Sequence, residues 1–201
     1  MNIGLLLIAY LIGMMPNEKL LGFLMNKDNL EAVRSDAIGA VKMLQNIKQP
    51  AFFMMLLLDV LKGASLVLMA IYLGTWHFLP MLLLLIALIG HNFNPITGIR
   101  NGLGIAILSG GLLIYTPVVF VLYLILTIIL QLFINDLDTA SALGTIVIPI
   151  SSALILQEVH SIIIGIAIIM VVFIQKTVYI QYAAFRTDYG DYKTNNPFYK
   201  K

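Results

Sequence analysis

A short run, Arg100-Asn101-Gly102-Leu103-Gly104, leads into an apolar stretch. Glycine-rich loops that open a helix can cradle phosphate, because backbone N–H groups and the positive end of the helix dipole face the anion. Gly-x-Gly alone is a common pattern, and the adjoining Arg100 adds to its interest. Just upstream, His91 lies in Gly90-His91-Asn92-Phe93-Asn94-Pro95. A lone histidine at a helix end is more often a satisfied structural group than a catalyst. Asp59 and Lys62 stand at i and i+3 within another apolar run, so they share a helix face and can pair. Two readings of that pair are open. One is a structural ion pair locking two helices, and the other places Lys62 near an anionic substrate. Ser35 and Gly39 belong to a polar stretch at 26–50, which reads as a solvated connector or as an amphipathic surface helix.

These groups are set in an unusually apolar chain. Of 201 residues, 60% are hydrophobic and 11% charged, with a mean hydropathy of +0.96. Soluble domains carry about 25% charged residues. The net charge of +2 argues against nucleic acid as a partner. The absence of cysteine excludes disulfides and thiolate metal sites.

No Asp, Glu, Lys or Arg occurs from Gly63 to Ile99, from Asn101 to Asn135, or from Thr139 to Gln157. One span needs about 20 apolar residues. The first two gaps each accommodate two short helices, split at Gly74 to Pro80 and at Tyr115-Thr116-Pro117. The fold class is therefore all-α, a polytopic membrane protein of about seven transmembrane helices. The expected spans are 2–25, 51–73, 79–94, 102–115, 117–134, 139–156 and 160–184. Pro16-Asn17-Glu18-Lys19 marks a kink in the first, which lacks a basic leader and reads as a span, not a cleaved signal peptide. Residues 1–185 form the transmembrane domain and 186–201 a cytoplasmic tail.

With seven spans, Lys27, Arg34, Lys42, Lys48, Arg100, Arg186, Lys193, Lys200 and Lys201 share one side, and the other side has no cation. The positive-inside rule places the C-terminus in the cytoplasm and the N-terminus outside. Trp76, His77, Glu158 and His160 then read as outer-side residues.

The order and spacing of these pieces resemble the membrane-bound acyl-phosphate:glycerol-3-phosphate acyltransferase family (PlsY) over most of the chain. Ala9-Tyr10-Leu11-Ile12-Gly13-Met14-Met15-Pro16 is similar to A-Y-L-x-G-S-I-P, and the run from Val33 to Lys42 to V-G-S-G-N-x-G-A-T-N. Leu58-Asp59-Val60-Leu61-Lys62-Gly63 matches L-D-x-x-K-G, and Gly90-His91-Asn92-Phe93 matches G-H-x-F. Arg100 to Gly104 stands where the family has K/R-G-G-K-G, and Asp138-Thr139-Ala140-Ser141 is similar to S-L-A-S.

The resemblance implies acyl transfer from acyl phosphate to the 1-hydroxyl of glycerol 3-phosphate, giving lysophosphatidic acid at a bacterial cell membrane. It implies no cofactor and no metal. It implies catalytic roles for Ser35 and His91, and phosphate or substrate binding by Gly39, Lys62, Arg100, Gly102, Gly104 and Ser141. Departures fall on polar positions. Met14 replaces a serine, Ala37 and Lys42 replace asparagines, Gln45 an arginine and Leu103 a lysine. Lys176-Thr177-Val178-Tyr179-Ile180 replaces H-R-x-N-I. A second reading follows, a degenerate, catalytically impaired paralogue that acts as a membrane partner or regulator, with a protein as its partner.

Overall fold

The computed structural model describes residues 2–17, 49–74, 76–95 and 102–195. Among them the elements run α1 (Asn2–Met14), α2 (Gln49–Leu73), α3 (Leu79–Asn92), α4 (Ile105–Tyr115) and α5 (Pro117–Ile134). There follow α6 (Leu137–Gly144), α7 (Val147–Ser151), a π-helical turn (Ser152–Leu156) and α8 (Val159–Asn195). Helix is what hydrocarbon demands, since a spanning segment must satisfy its backbone internally.

Four stretches are long and apolar enough to cross a bilayer: Phe53–Leu73, Pro117–Ile134, Leu137–Leu156 and Val159–Val178. Three apolar helices are shorter, Ile3–Met14, Leu79–Asn92 and Ile105–Tyr115. Together they match the seven expected spans. Prolines punctuate them as anticipated, with Pro80 in the first turn of α3 and Pro117 in that of α5. Three boundaries differ. α1 leaves helical geometry at Met15, before Pro16, because proline disfavours helix at the residue preceding it. The span expected to begin at 102 starts only at Ile105, because Gly102 and Gly104 hold left-handed backbone (φ 82° and 71°). The last helix continues through Asn195, so residues 186–195 of the expected tail are helical.

The pairing is specific: α1 lies along α3, and α2 along α4. Glycine makes both contacts possible. A Cβ on Gly63 would stand 1.8 Å from the Ile107 carbonyl oxygen, and one on Gly110 2.0 Å from that of Val60. Without a hydrophobic drive between helices in lipid, close backbone approach at small residues supplies the packing. Leu66, Leu83, Ala87 and Ile107 fill one core and Leu88, Leu108, Leu112 and Ile168 another. Leu7, Leu57, Leu132, Phe133, Leu154 and Met170 face outward. That apolar exterior would aggregate in water and is matched to lipid tails.

At the end of the bundle that holds the α2–α3 turn, Phe78 stacks on Trp76 and on His160 (centroids 5.5 and 4.7 Å apart). Tyr115 Oη donates to the His77 carbonyl there (3.1 Å). At the opposite end Asp136 caps α6, accepting from the Thr139 amide and hydroxyl, and pairs with Lys176 of α8 at 3.0 Å. Partial burial alone would raise the Asp136 pKa, but the Thr139 and Lys176 bonds outweigh it and hold the carboxyl below its usual range.

These contacts set the outcomes expected in detergent-solubilised protein. Gly63→Ala lowers thermal stability by about 1–3 kcal/mol or more through forced separation of α2 and α4. Gly4→Ala, where an added Cβ meets nothing within 4 Å, is neutral or slightly stabilising. Asp136→Ala costs about 1 kcal/mol through the lost cap, and Asp136→Asn, which can still cap, costs less. Because the folded pKa is depressed, the charged form stabilises above the unfolded pKa, and this is lost as pH falls through the folded value. Melting curves of wild type and Asp136→Asn should therefore converge in acid.

Candidate functional site at the convergence of three short helices

α1 is 13 residues long, α3 14 and α4 11, so each spans only about 16–21 Å at 1.5 Å per residue. The C-terminal ends of α1 and α3 and the N-terminal end of α4 meet at one place. A helix terminus leaves its last carbonyls without intrahelical donors, and in an apolar medium they need partners from elsewhere.

α2 and the α3 exit provide those partners for α1. Lys62 Nζ donates to the Met15 carbonyl at 2.7 Å and to Asp59 Oδ1 at 3.2 Å. Asn17 Nδ2 donates to the same Asp59 oxygen at 2.7 Å. Asn94 Nδ2 donates to the Met14 carbonyl at 2.5 Å. A cation at a helix C-terminus also meets the negative end of the dipole. Lys62 is buried, about 13 residues into α2, which sets the end of α1 well below the end of its neighbour. The anticipated Asp59–Lys62 pair is present, and the pair serves to close a helix.

His91 and Gly104 come together on the other side of this network. A Cβ built on Gly104 would lie 3.4 Å from His91 Cδ2, 3.2 Å from Asn92 Oδ1 and 2.3 Å from Leu88 Cδ1. Only glycine fits that space, and its positive φ independently favours glycine. Gly90 brings the same stretch against α1, since its Cβ would stand 2.5 Å from the Tyr10 carbonyl oxygen. Gly104 is the N-cap of α4, and no side chain caps the first turn. The N–H groups there remain directed at whatever approaches, which is the arrangement that holds anions.

Ser141 is buried on α6, where its hydroxyl donates to the Asp138 carbonyl (3.1 Å). α6 packs on α5 and α8. Ser35, Gly39 and Arg100 lie outside the described residues. Leu103 is 9% exposed and belongs to the apolar core. Sequence reasoning assigned no role to Asn92 or Asn94, although both fell in a noted segment. The available signal was an amide at the end of an otherwise apolar span.

The glycerol-3-phosphate acyltransferase family model matches residues 3–184. Glycerol-3-phosphate acyltransferases of similar sequence occur in several bacteria. That of Streptococcus thermophilus (strain CNRZ 1066) is 30% identical over 78% of this chain and 73% of its own. That of Wolinella succinogenes is 31% identical over 80% and 81%, and that of Enterococcus faecalis 28% over 85% and 82%. Among solved structures, the integral membrane glycerol 3-phosphate acyltransferase PlsY (YgiH) in its glycerol 3-phosphate form has the same fold. It shows a TM-score of 0.75 and 21% identity over 92% of both chains. A match along nearly the whole chain, on the helical membrane fold just described, places this multi-pass membrane protein in the glycerol-3-phosphate acyltransferase family.

Proposed function

We propose that this chain transfers a fatty acyl group from acyl phosphate to the 1-hydroxyl of glycerol 3-phosphate at the cytoplasmic side of the cell membrane. The observation that carries this reading is the left-handed Gly102–Gly104 turn, which opens α4 directly beside His91 and leaves the first-turn N–H groups uncapped. Such a turn is suited to a phosphate group. In the step itself, the glycerol oxygen attacks the acyl carbon. The bond from that carbon to the phosphate oxygen breaks, and phosphate departs with the electron pair. His91 accepts the hydroxyl proton, and the α4 N-terminus stabilises developing negative charge. Arg100 adjoins the turn in sequence and contributes a cation to phosphate binding. Lys62 acts by holding the end of α1 in place.

One observation favours the alternative of a non-catalytic membrane partner. At the family's glycine-loop lysine position stands Leu103, packed in the apolar core, so that position lends phosphate no charge.

The two readings separate in an assay of purified protein with acyl phosphate and radiolabelled glycerol 3-phosphate. The expected outcome is lysophosphatidic acid formation, reduced about 10–100-fold by Arg100→Ala and about 100-fold or more by His91→Ala. Lys62→Ala should cost about 3–5 kcal/mol of stability, because it leaves the Asp59 charge and an α1 carbonyl unpaired. No product from folded wild type, beside an active relative, would overturn the acyltransferase reading and favour the partner role.

A further inference from the structure

Asn92, the last residue of α3, is 0% exposed, and neither its Nδ2 nor its Oδ1 has a hydrogen-bond partner among the described residues. A buried carboxamide left wholly unpaired is costly. Native proteins satisfy nearly all such groups, and an exception calls for a reason. A leucine would fill this position without the cost, among neighbours such as Leu88.

The surroundings of the amide point to that reason. Its oxygen lies 3.2 Å from the place a Gly104 Cβ would occupy, so it faces the N-cap of α4 directly. α4 has 11 residues and no side-chain cap, and its first N–H groups lack intrahelical acceptors. The carboxamide therefore adds a donor and an acceptor to a row of donors. The neighbouring side chain, Leu103, is turned into the core and supplies no charge. Gly104 packs against the amide, and its positive φ is one that glycine adopts without strain.

We propose that Asn92 is a ligand-binding residue for glycerol 3-phosphate. Nδ2 donates to a phosphate oxygen next to the α4 first-turn N–H groups, and Oδ1 accepts from a glycerol hydroxyl. The identity of the ligand rests on the acyltransferase reading. The amide is a neutral substitute for the cation missing at position 103, and it makes this site a reader of a phosphate carrying a nearby hydroxyl.

The test compares wild type with Asn92→Leu and Asn92→Asp in detergent, using steady-state kinetics and melting curves with and without glycerol 3-phosphate. Asn92→Leu should melt at or above the wild-type temperature without ligand, since it removes two unpaired polar atoms. It should raise KM for glycerol 3-phosphate about 10-fold or more with kcat little changed, and lose the ligand-induced rise in melting temperature. Asn92→Asp, of the same size, should raise KM further by repelling phosphate. Wild-type KM and ligand shift in Asn92→Leu would overturn the proposal while leaving the acyltransferase reading intact. A glycerol 3-phosphate shift that depends on Asn92 in a protein without turnover would sustain the binding role and sink the catalytic reading. Neither shift nor turnover in wild type would remove both.

Discussion

A helix that stops inside a bilayer exposes carbonyls to a medium that offers no donors, at a cost on the order of several kcal/mol for each orphan. The arrangement around α1 answers that constraint. Lys62 and Asn94 donate to the Met15 and Met14 carbonyls, and Asp59 balances the lysine charge while accepting from Asn17. A lysine buried in an apolar bundle would be expensive alone. Here its charge, its hydrogen bonds and the helix dipole are satisfied together. The remaining features of this end of the molecule follow from the depth at which α1 is closed.

α1 thus closes alongside the longer α2. α3 ends at the same level because Gly90 lets it lie against α1, and α4 begins there because Gly63 and Gly110 hold it against α2. The polar ends of three short helices thus converge where neighbouring spans are still continuous. Such a convergence suits the proposed reaction, which would join a water-soluble phosphate ester to a lipid-borne acyl group.

The same frame explains why divergence is tolerated. Lys62, Asp59 and the glycines at helix contacts carry the architecture, and each meets a steric or electrostatic demand that few other residues satisfy. Position 103 meets no such demand, since a leucine there joins the core that Leu88 and Leu108 already form. At the same end of the bundle, α6 and α8 are braced separately, by Asp136 between the α6 amides and Lys176. The fold can therefore persist while the charge pattern changes at position 103, where the family resemblance expects a lysine and this chain has Leu103.

Apolar runs too long for any soluble core, punctuated by Pro80, Pro117 and Gly74, determined the helical class and the spans from the sequence alone. Bilayer thickness and the demand for internal hydrogen bonding leave few alternatives. The spacing of Asp59 and Lys62 likewise foretold their pairing, because i and i+3 share a helix face. The sequence could not tell that the lysine would close a different helix, since Met15 lies 47 positions away and only packing brings its carbonyl within 2.7 Å. Nor could it show that Asn92 would be sealed beside Gly104 with no hydrogen-bond partner among the described residues, or that Leu103 would join the core. Helix-local contacts are written in residue spacing, whereas the depth of a helix end and the direction of a side chain at a turn are decided by what packs across from them.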